Sequence, residues 1–141
     1  MHIKLISFKR KIYRFGEIKL IMKYYLQAFK NYANFNGRAR RKEYWMYILF
    51  FYLITFLMIF LDNLLGITIE DGLGPLTIVY ILISIIPTLA VGIRRLHDIG
   101  KSGWWLLISW VPLIGGIWMF ILLVTDSQLE ENIYGKNPKL S

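Results

Sequence analysis

The chain is predicted to be an all-α integral membrane protein: three transmembrane helices preceded by a short interfacial amphipathic helix. Three observations predict this. Residues 44–61, 73–93 and 104–124 contain no Lys, Arg, Asp or Glu. A crossing of ~30 Å of hydrocarbon needs ~20 apolar residues in a helix, and stretches of this length meet that requirement. The charges outside them alternate in sign, which is what opposite sides of a membrane require.

The composition agrees. The chain of 141 residues is 56% hydrophobic, with mean hydropathy +0.47, which leaves little for a water-soluble core. Cysteine is absent and the two histidines, His2 and His97, are far apart. Disulfides, thiolate sites and a cysteine nucleophile are excluded, and no metal-ligand cluster or cofactor motif can be written. The net charge of +8 would suit nucleic acid if it lay on one face. It divides instead into a strongly basic segment 1–43, an acidic loop 62–72 carrying Asp62, Glu70 and Asp71, a basic loop 94–103, and a mildly acidic tail. Positive residues collect on the cytoplasmic side, so the N-terminal region and the 94–103 loop are expected inside and the 62–72 loop outside. A third crossing then puts the C-terminus outside. The expected partner is a bilayer with anionic headgroups, with a second copy of the chain or another membrane protein as a further partner, and no nucleic acid.

Residues 1–21 are basic and mildly amphipathic, without the apolar core of a signal peptide. They read either as a surface helix drawn to anionic lipid or as an extension upstream of a start at Met22. Residues 22–138 form one multi-span domain and 139–141 a tail. In 23–33, Tyr25, Leu26, Phe29 and Tyr32 share a helical face, and tyrosines favour the headgroup level, which predicts the interfacial helix. The turn Asn34-Phe35-Asn36-Gly37 leads into a cationic collar, Arg38, Arg40, Arg41 and Lys42 with Glu43, followed by the interface anchors Tyr44 and Trp45. Such a collar suits anionic headgroups and also sets topology.

The first span, about 44–65, is rich in aromatic residues, read as lipid-facing bulk, with Asp62 reaching to the interface. Pro75 opens the second span, 73–93, in the first turn, where a missing N–H costs nothing. Pro87 removes an intrahelical hydrogen bond inside it, and Ser84 and Thr88 offer one face to a neighbouring helix. The third stretch, 104–124, begins with the anchors Trp104 and Trp105 and carries Pro112, Gly115 and Gly116 near its middle. It is the right length for one kinked span. The alternative is a re-entrant hairpin, whose non-helical backbone must be buried or face water.

The most distinctive polar element is Arg94-Arg95-Leu96-His97-Asp98 with Gly100-Lys101-Ser102-Gly103-Trp104-Trp105. Ser102 is placed to cap the third helix. His97 and Asp98 have the residue types of a base and its orienter, but adjacent residues rarely hold that geometry, so a structural role is expected: Glu43 and Asp98 pairing with Arg94, Arg95, Arg40 or Arg41 to tie the spans together. In the tail, Asn132, Gly135 and Asn137-Pro138 are turn formers around Tyr134.

Taken in order, Phe35-Asn36-Gly37-Arg38-Ala39-Arg40-Arg41-Lys42-Glu43-Tyr44-Trp45, Arg94-Arg95-Leu96-His97-Asp98, Gly100-Lys101-Ser102-Gly103-Trp104-Trp105, Val111-Pro112-Leu113-Ile114-Gly115 and Glu131-Asn132-Ile133-Tyr134-Gly135-Lys136-Asn137-Pro138 resemble a bacterial inner-membrane family known as domain of unknown function 805. The resemblance covers about Met22 to Pro138. It implies a small multi-pass protein of the bacterial inner membrane and supplies no reaction or catalytic residues. The expected function is a non-enzymatic membrane module that binds lipid or a partner protein. A subunit of an oligomeric transporter or channel is the alternative, though no span carries the ionisable residue that usually marks such a path. An enzyme using His97 and Asp98 on a lipid headgroup is the third reading.

Overall fold

The computed structural model describes residues 22–69 and 72–140; the basic segment 1–21 and the acidic pair at 70 and 71 lie outside the described residues. Every regular element described is helical: α1 over 22–30, α2 Arg41–Leu64, α3 Pro75–Asp98, a 3-10 helix Gly103–Trp110 and α4 Ile114–Val124. Among the described residues two helices, α2 and α3, are long and apolar enough to cross a membrane. Each has 24 residues, or about 36 Å at 1.5 Å per residue.

α2 and α3 pair antiparallel. The aromatic residues of α2 divide between two environments rather than all facing lipid. Tyr52, Phe56 and Phe60 are exposed, whereas Tyr47 is fully buried and Phe51 stacks on Tyr80. Tyr47 fills the small-residue face of α3. Its hydroxyl lies 2.8 Å from Thr88 Oγ1, and Thr88 donates to the Ser84 carbonyl at 2.6 Å.

Asp62 does not turn out to solvent. It is fully buried and turns across to the start of α3, accepting from the Leu76 and Thr77 amides at 3.2 and 3.0 Å and from Thr77 Oγ1 at 2.7 Å. The first amides of a helix have no intrahelical acceptor, so a carboxylate borrowed from the preceding helix satisfies them and favours the positive end of the dipole. Gly74 makes the approach possible: a Cβ there would stand 2.2 Å from Asp62 Cγ.

α1 packs against the flank of α2 and α3 and is more than a surface helix. Ala28 is fully buried with Ala39, Tyr47 and Val91, and Tyr25 meets Phe29, Phe50 and Tyr47. Just beyond α1, the Tyr32 hydroxyl donates to the Ile83 carbonyl at 2.6 Å. Ile83 is four residues before Pro87, so its carbonyl is the one that proline leaves without an amide. Tyr32→Phe is expected to cost about 1 kcal/mol in thermal unfolding of the detergent-solubilised protein. Pro87→Ala restores the intrahelical donor, so the same change in that background should cost clearly less; equal costs would show that the tyrosine is not compensating for the proline.

The third stretch is not one helix. The 3-10 helix and α4 are separated by a turn at Val111–Leu113, where Leu113 has φ +68°. At about 2.0 Å per residue for the one and 1.5 Å for the other, each arm extends only about 16 Å, half a crossing. The arms lie against each other: a Cβ on Gly115 would stand 2.0 Å from the Ile108 carbonyl oxygen. Leu96 and Ile99 pack with Met119, Leu122 and Leu123, so both ends of the hairpin sit beside the last turn of α3. The expectation of a third spanning helix is not confirmed: residues 103–124 form two short helices joined by a turn. The proline and the turn break the helix, and the chain after α4 is bonded to the end of α3 from which the hairpin left. The tail and the 94–103 loop therefore lie at the same end of α3.

Candidate functional site

The polar residues that stand out in the sequence converge where the last turn of α3 meets the start of α2 and the tail. The turn at Asn34–Gly37 delivers the collar to this point: Asn34 Oδ1 accepts from the Asn36 amide at 3.1 Å, and Gly37 takes φ +84°. The Ala39 amide then donates to the Arg94 carbonyl at 2.9 Å, and Arg38 is pinned beside α3.

Asp98 is the centre. Its side chain is fully buried. Oδ1 accepts from Arg38 Nε at 3.1 Å, and Oδ2 from Arg95 Nη1 at 2.7 Å and Ser127 Oγ at 2.5 Å. The two guanidinium groups reach outward to carbonyls. Arg38 Nη1 donates to Glu130 and Gly135, and Nη2 to Asp98 and Gln128, so all five of its N–H groups are engaged. Arg95 Nε donates to the Leu123 carbonyl at 3.1 Å, and Nη2 to that of Thr125. These are the carbonyls that end α4, which have no intrahelical donor of their own. Burial in so poor a solvent is tolerated because the charges are both paired and hydrogen-bonded.

Arg94 points the other way, into the α2–α3 seam, and binds Glu43 Oε1 at 2.9 Å. Its Nε and Nη2 have no partner among the described residues. Arg41 donates to the Val124 carbonyl from the exposed side. Arg40 and Lys42 have no hydrogen bond from their side chains among the described residues. They and Arg41 lie at or near the surface beside Tyr44 and Trp45. The collar thus splits: Arg38 turns inward, whereas Arg40, Arg41 and Lys42 are left outside. Of the anchors, Tyr44 and Trp45 are half-buried in the hairpin core, Trp104 is exposed, and Lys101 Nζ lies 5.0 Å from the Trp105 ring centroid.

His97 and Asp98 are not bonded to each other. Every oxygen of Asp98 is taken, and His97 Nδ1 lies 3.2 Å from the Gly37 carbonyl, which can only accept. Nδ1 therefore carries the ring proton. The imidazole stacks flat on Tyr134, with centroids 3.7 Å apart.

The tail, which as a sequence suggests only turns around a tyrosine, closes the site. Gln128 N donates to the Asp98 carbonyl at 3.0 Å. Asn132 Nδ2 donates to the His97 carbonyl and to Gln128 Oε1, both at 2.9 Å. Asn137 Nδ2 donates to the Gln128 carbonyl at 2.9 Å. Lys139 Nζ bonds Asp126 Oδ1 at 2.5 Å and, with the Ser127 amide, holds that carboxyl below the usual carboxylate range. Gly100, at φ +71°, leaves room for the Gln128 side chain, which a Cβ would meet at 2.5 Å. Sequence reasoning misses Ser127, Gln128, Asn132 and Asn137 as site residues. The available signal is a run of amides and turn formers with few apolar residues, which suits a segment that bonds to backbone rather than fills a core.

Fold and site together define a class: a multi-pass helical membrane protein whose helix pair, helical hairpin and tail are tied at one end by buried arginines. The model of the protein family of unknown function DUF805 matches residues 32–136, and the chain belongs to that family. It is 43% identical over 119 residues to the inner membrane protein YhaH of Escherichia coli strain K12, covering 84% of this chain and 98% of that protein. It is 40% identical over 118 residues to inner membrane protein YhaI of the same strain, covering 84% and 97%. It is also 31% identical over 97 residues to the uncharacterized protein YiiR of that strain, covering 62% of each chain. No solved structure gives a significant match.

Proposed function

We propose that this chain is a non-enzymatic inner-membrane module that gathers anionic lipid at its cytoplasmic face. The carrying observation is the division of the basic residues. Arg38, Arg94 and Arg95 are buried in the knot, while Arg40, Arg41 and Lys42 are left outside it at the same end, beside Tyr44 and Trp45. Cations at this level attract anionic headgroups by about 1 kcal/mol each. The His97–Asp98 pair supports a structural rather than a catalytic role, because Asp98 is saturated by Arg38, Arg95 and Ser127 and does not orient the imidazole. The basic collar, the 94–103 loop and the tail lie at one end, and the positive-inside rule supports a cytoplasmic placement of that end. The names of YhaH and YhaI agree with an inner-membrane location.

Two measurements test this. Extraction into polymer discs without detergent, followed by lipid mass spectrometry, should show anionic phospholipid enriched around the chain. Replacing Arg40, Arg41 and Lys42 together by Ala should lower that enrichment about tenfold or more; an unchanged lipid profile sinks the reading. A reporter fused after Ser141 should be active in the cytoplasm, and activity outside would overturn the orientation.

A further inference from the structure

Between α3 and the 3-10 arm of the hairpin runs a groove of about 610 Å³, within the range of small-molecule sites. Its walls are apolar, with Leu89 and Ile93 on α3 and Leu107 and Trp110 on the hairpin. Leu89, Leu107 and Trp110 are exposed, so the groove opens sideways, toward the lipid. His97, Ser102 and Tyr134 line one end; Ser109, beside Trp110 at the other, has its hydroxyl proton committed to the Leu106 carbonyl at 2.6 Å. From Leu89 to His97 is about 12 Å along the helix. The groove thus grades from hydrocarbon to headgroup level within one leaflet, the polarity profile of a lipid.

The polar end has a defined chemistry. Because His97 Nδ1 is committed to the Gly37 carbonyl, the neutral ring offers Nε2 as an acceptor. Ser102 Oγ accepts from the Trp104 amide and keeps its own proton to donate. The surroundings are positive: the knot holds three arginines against two carboxylates, and Arg40, Arg41 and Lys42 lie at the same end. A headgroup ammonium would meet repulsion here, whereas a phosphate with an uncharged hydroxyl would not.

We propose that the groove holds an acyl chain of one anionic, hydroxyl-bearing phospholipid, its headgroup hydroxyl donating to His97 Nε2 and its phosphate accepting from Ser102. This rests on the anionic-lipid reading and gives it a place distinct from the exposed collar.

The test uses the full chain in lipid discs that contain, at equal mole fraction, phosphatidylglycerol or phosphatidylcholine with a photoreactive diazirine in the acyl chain. Crosslinks are mapped by peptide mass spectrometry. The phosphatidylglycerol probe should label residues 104–110 about fivefold more than the phosphatidylcholine probe, roughly the worth of one or two hydrogen bonds. His97→Asn keeps a donor for the Gly37 carbonyl and removes Nε2, so that preference should fall toward one. Leu89→Trp fills the groove from the lipid side, where it does not disturb the core, and should reduce labelling by both probes. Equal labelling in the unaltered chain, or a preference that survives both substitutions, overturns the proposal. Replacing Arg40, Arg41 and Lys42 should lower total anionic lipid while the preference at 104–110 persists. Failure of the collar reading therefore shows in the lipid profile and failure of the groove in the crosslinks.

Discussion

Asp98→Ala should be the most damaging single substitution in this protein. The carboxylate is fully buried and is the counterion of two guanidinium groups, Arg38 and Arg95. Removing one partner of a buried ion pair costs about 3–5 kcal/mol, because it leaves an uncompensated charge behind. Here two charges are left, and Ser127 Oγ loses its acceptor as well. The damage should spread along the chain, since Arg38 holds the carbonyls of Glu130, Gly135 and Gln128 and Arg95 those of Leu123 and Thr125. The expected result is loss of most folded protein from the membrane fraction, a large fall in melting temperature for any that remains, and proteolytic release of the tail. Arg38→Lys should be milder but clearly destabilising: an ammonium keeps the charge and cannot match five donors fixed in a plane. A melting temperature unchanged by Asp98→Ala would show that the knot does not hold the fold together.

Gly115→Ala against Gly116→Ala is the second large contrast, and it separates the hairpin from a single kinked span. A methyl on Gly115 would stand 2.0 Å from the Ile108 carbonyl oxygen, whereas one on Gly116 meets nothing within 4 Å. The obstacle at Gly115 is backbone, so it cannot rotate aside, and relief requires the two arms to part. We expect Gly115→Ala to cost about 3 kcal/mol or more, in the manner of an overpacked core. Gly116→Ala should be neutral, or stabilising by up to about 1 kcal/mol through helix propensity. Thermal unfolding checks both, and the emission of Trp110, next to the turn, reports the opening. In a continuous helix the two neighbouring glycines would give similar, small effects.

The sequence made some parts legible because they depend on local composition. A run of apolar residues with no charge has to be a span or a membrane-buried segment whatever it packs against, so α2 and α3 could be read directly. Pro75 at a helix start and Ser102 as a cap can be read from one residue and its neighbours. The sequence also marked Glu43, Asp98, Arg94 and Arg95 as a polar set that could tie the spans together, and ordered motifs pointed to the family.

Partnership was not legible, because it depends on which chain segments meet. Length and hydropathy are the same for residues 104–124 whether they cross or turn back. The deciding features are a contact, Gly115 against Ile108, and the arginine bonds to the carbonyls at the end of α4. Arg38 looked like the rest of the collar and is instead its buried member, since only the turn at Gly37 aims it inward. Asp62 looked like an interfacial acid and caps the next helix through a gap left by Gly74. The sequence by itself determined which solvent each segment requires, since transfer free energy belongs to the residues. Only the tertiary structure decided which polar groups satisfy one another, since a hydrogen bond belongs to a pair and its geometry exists only once the chain has folded.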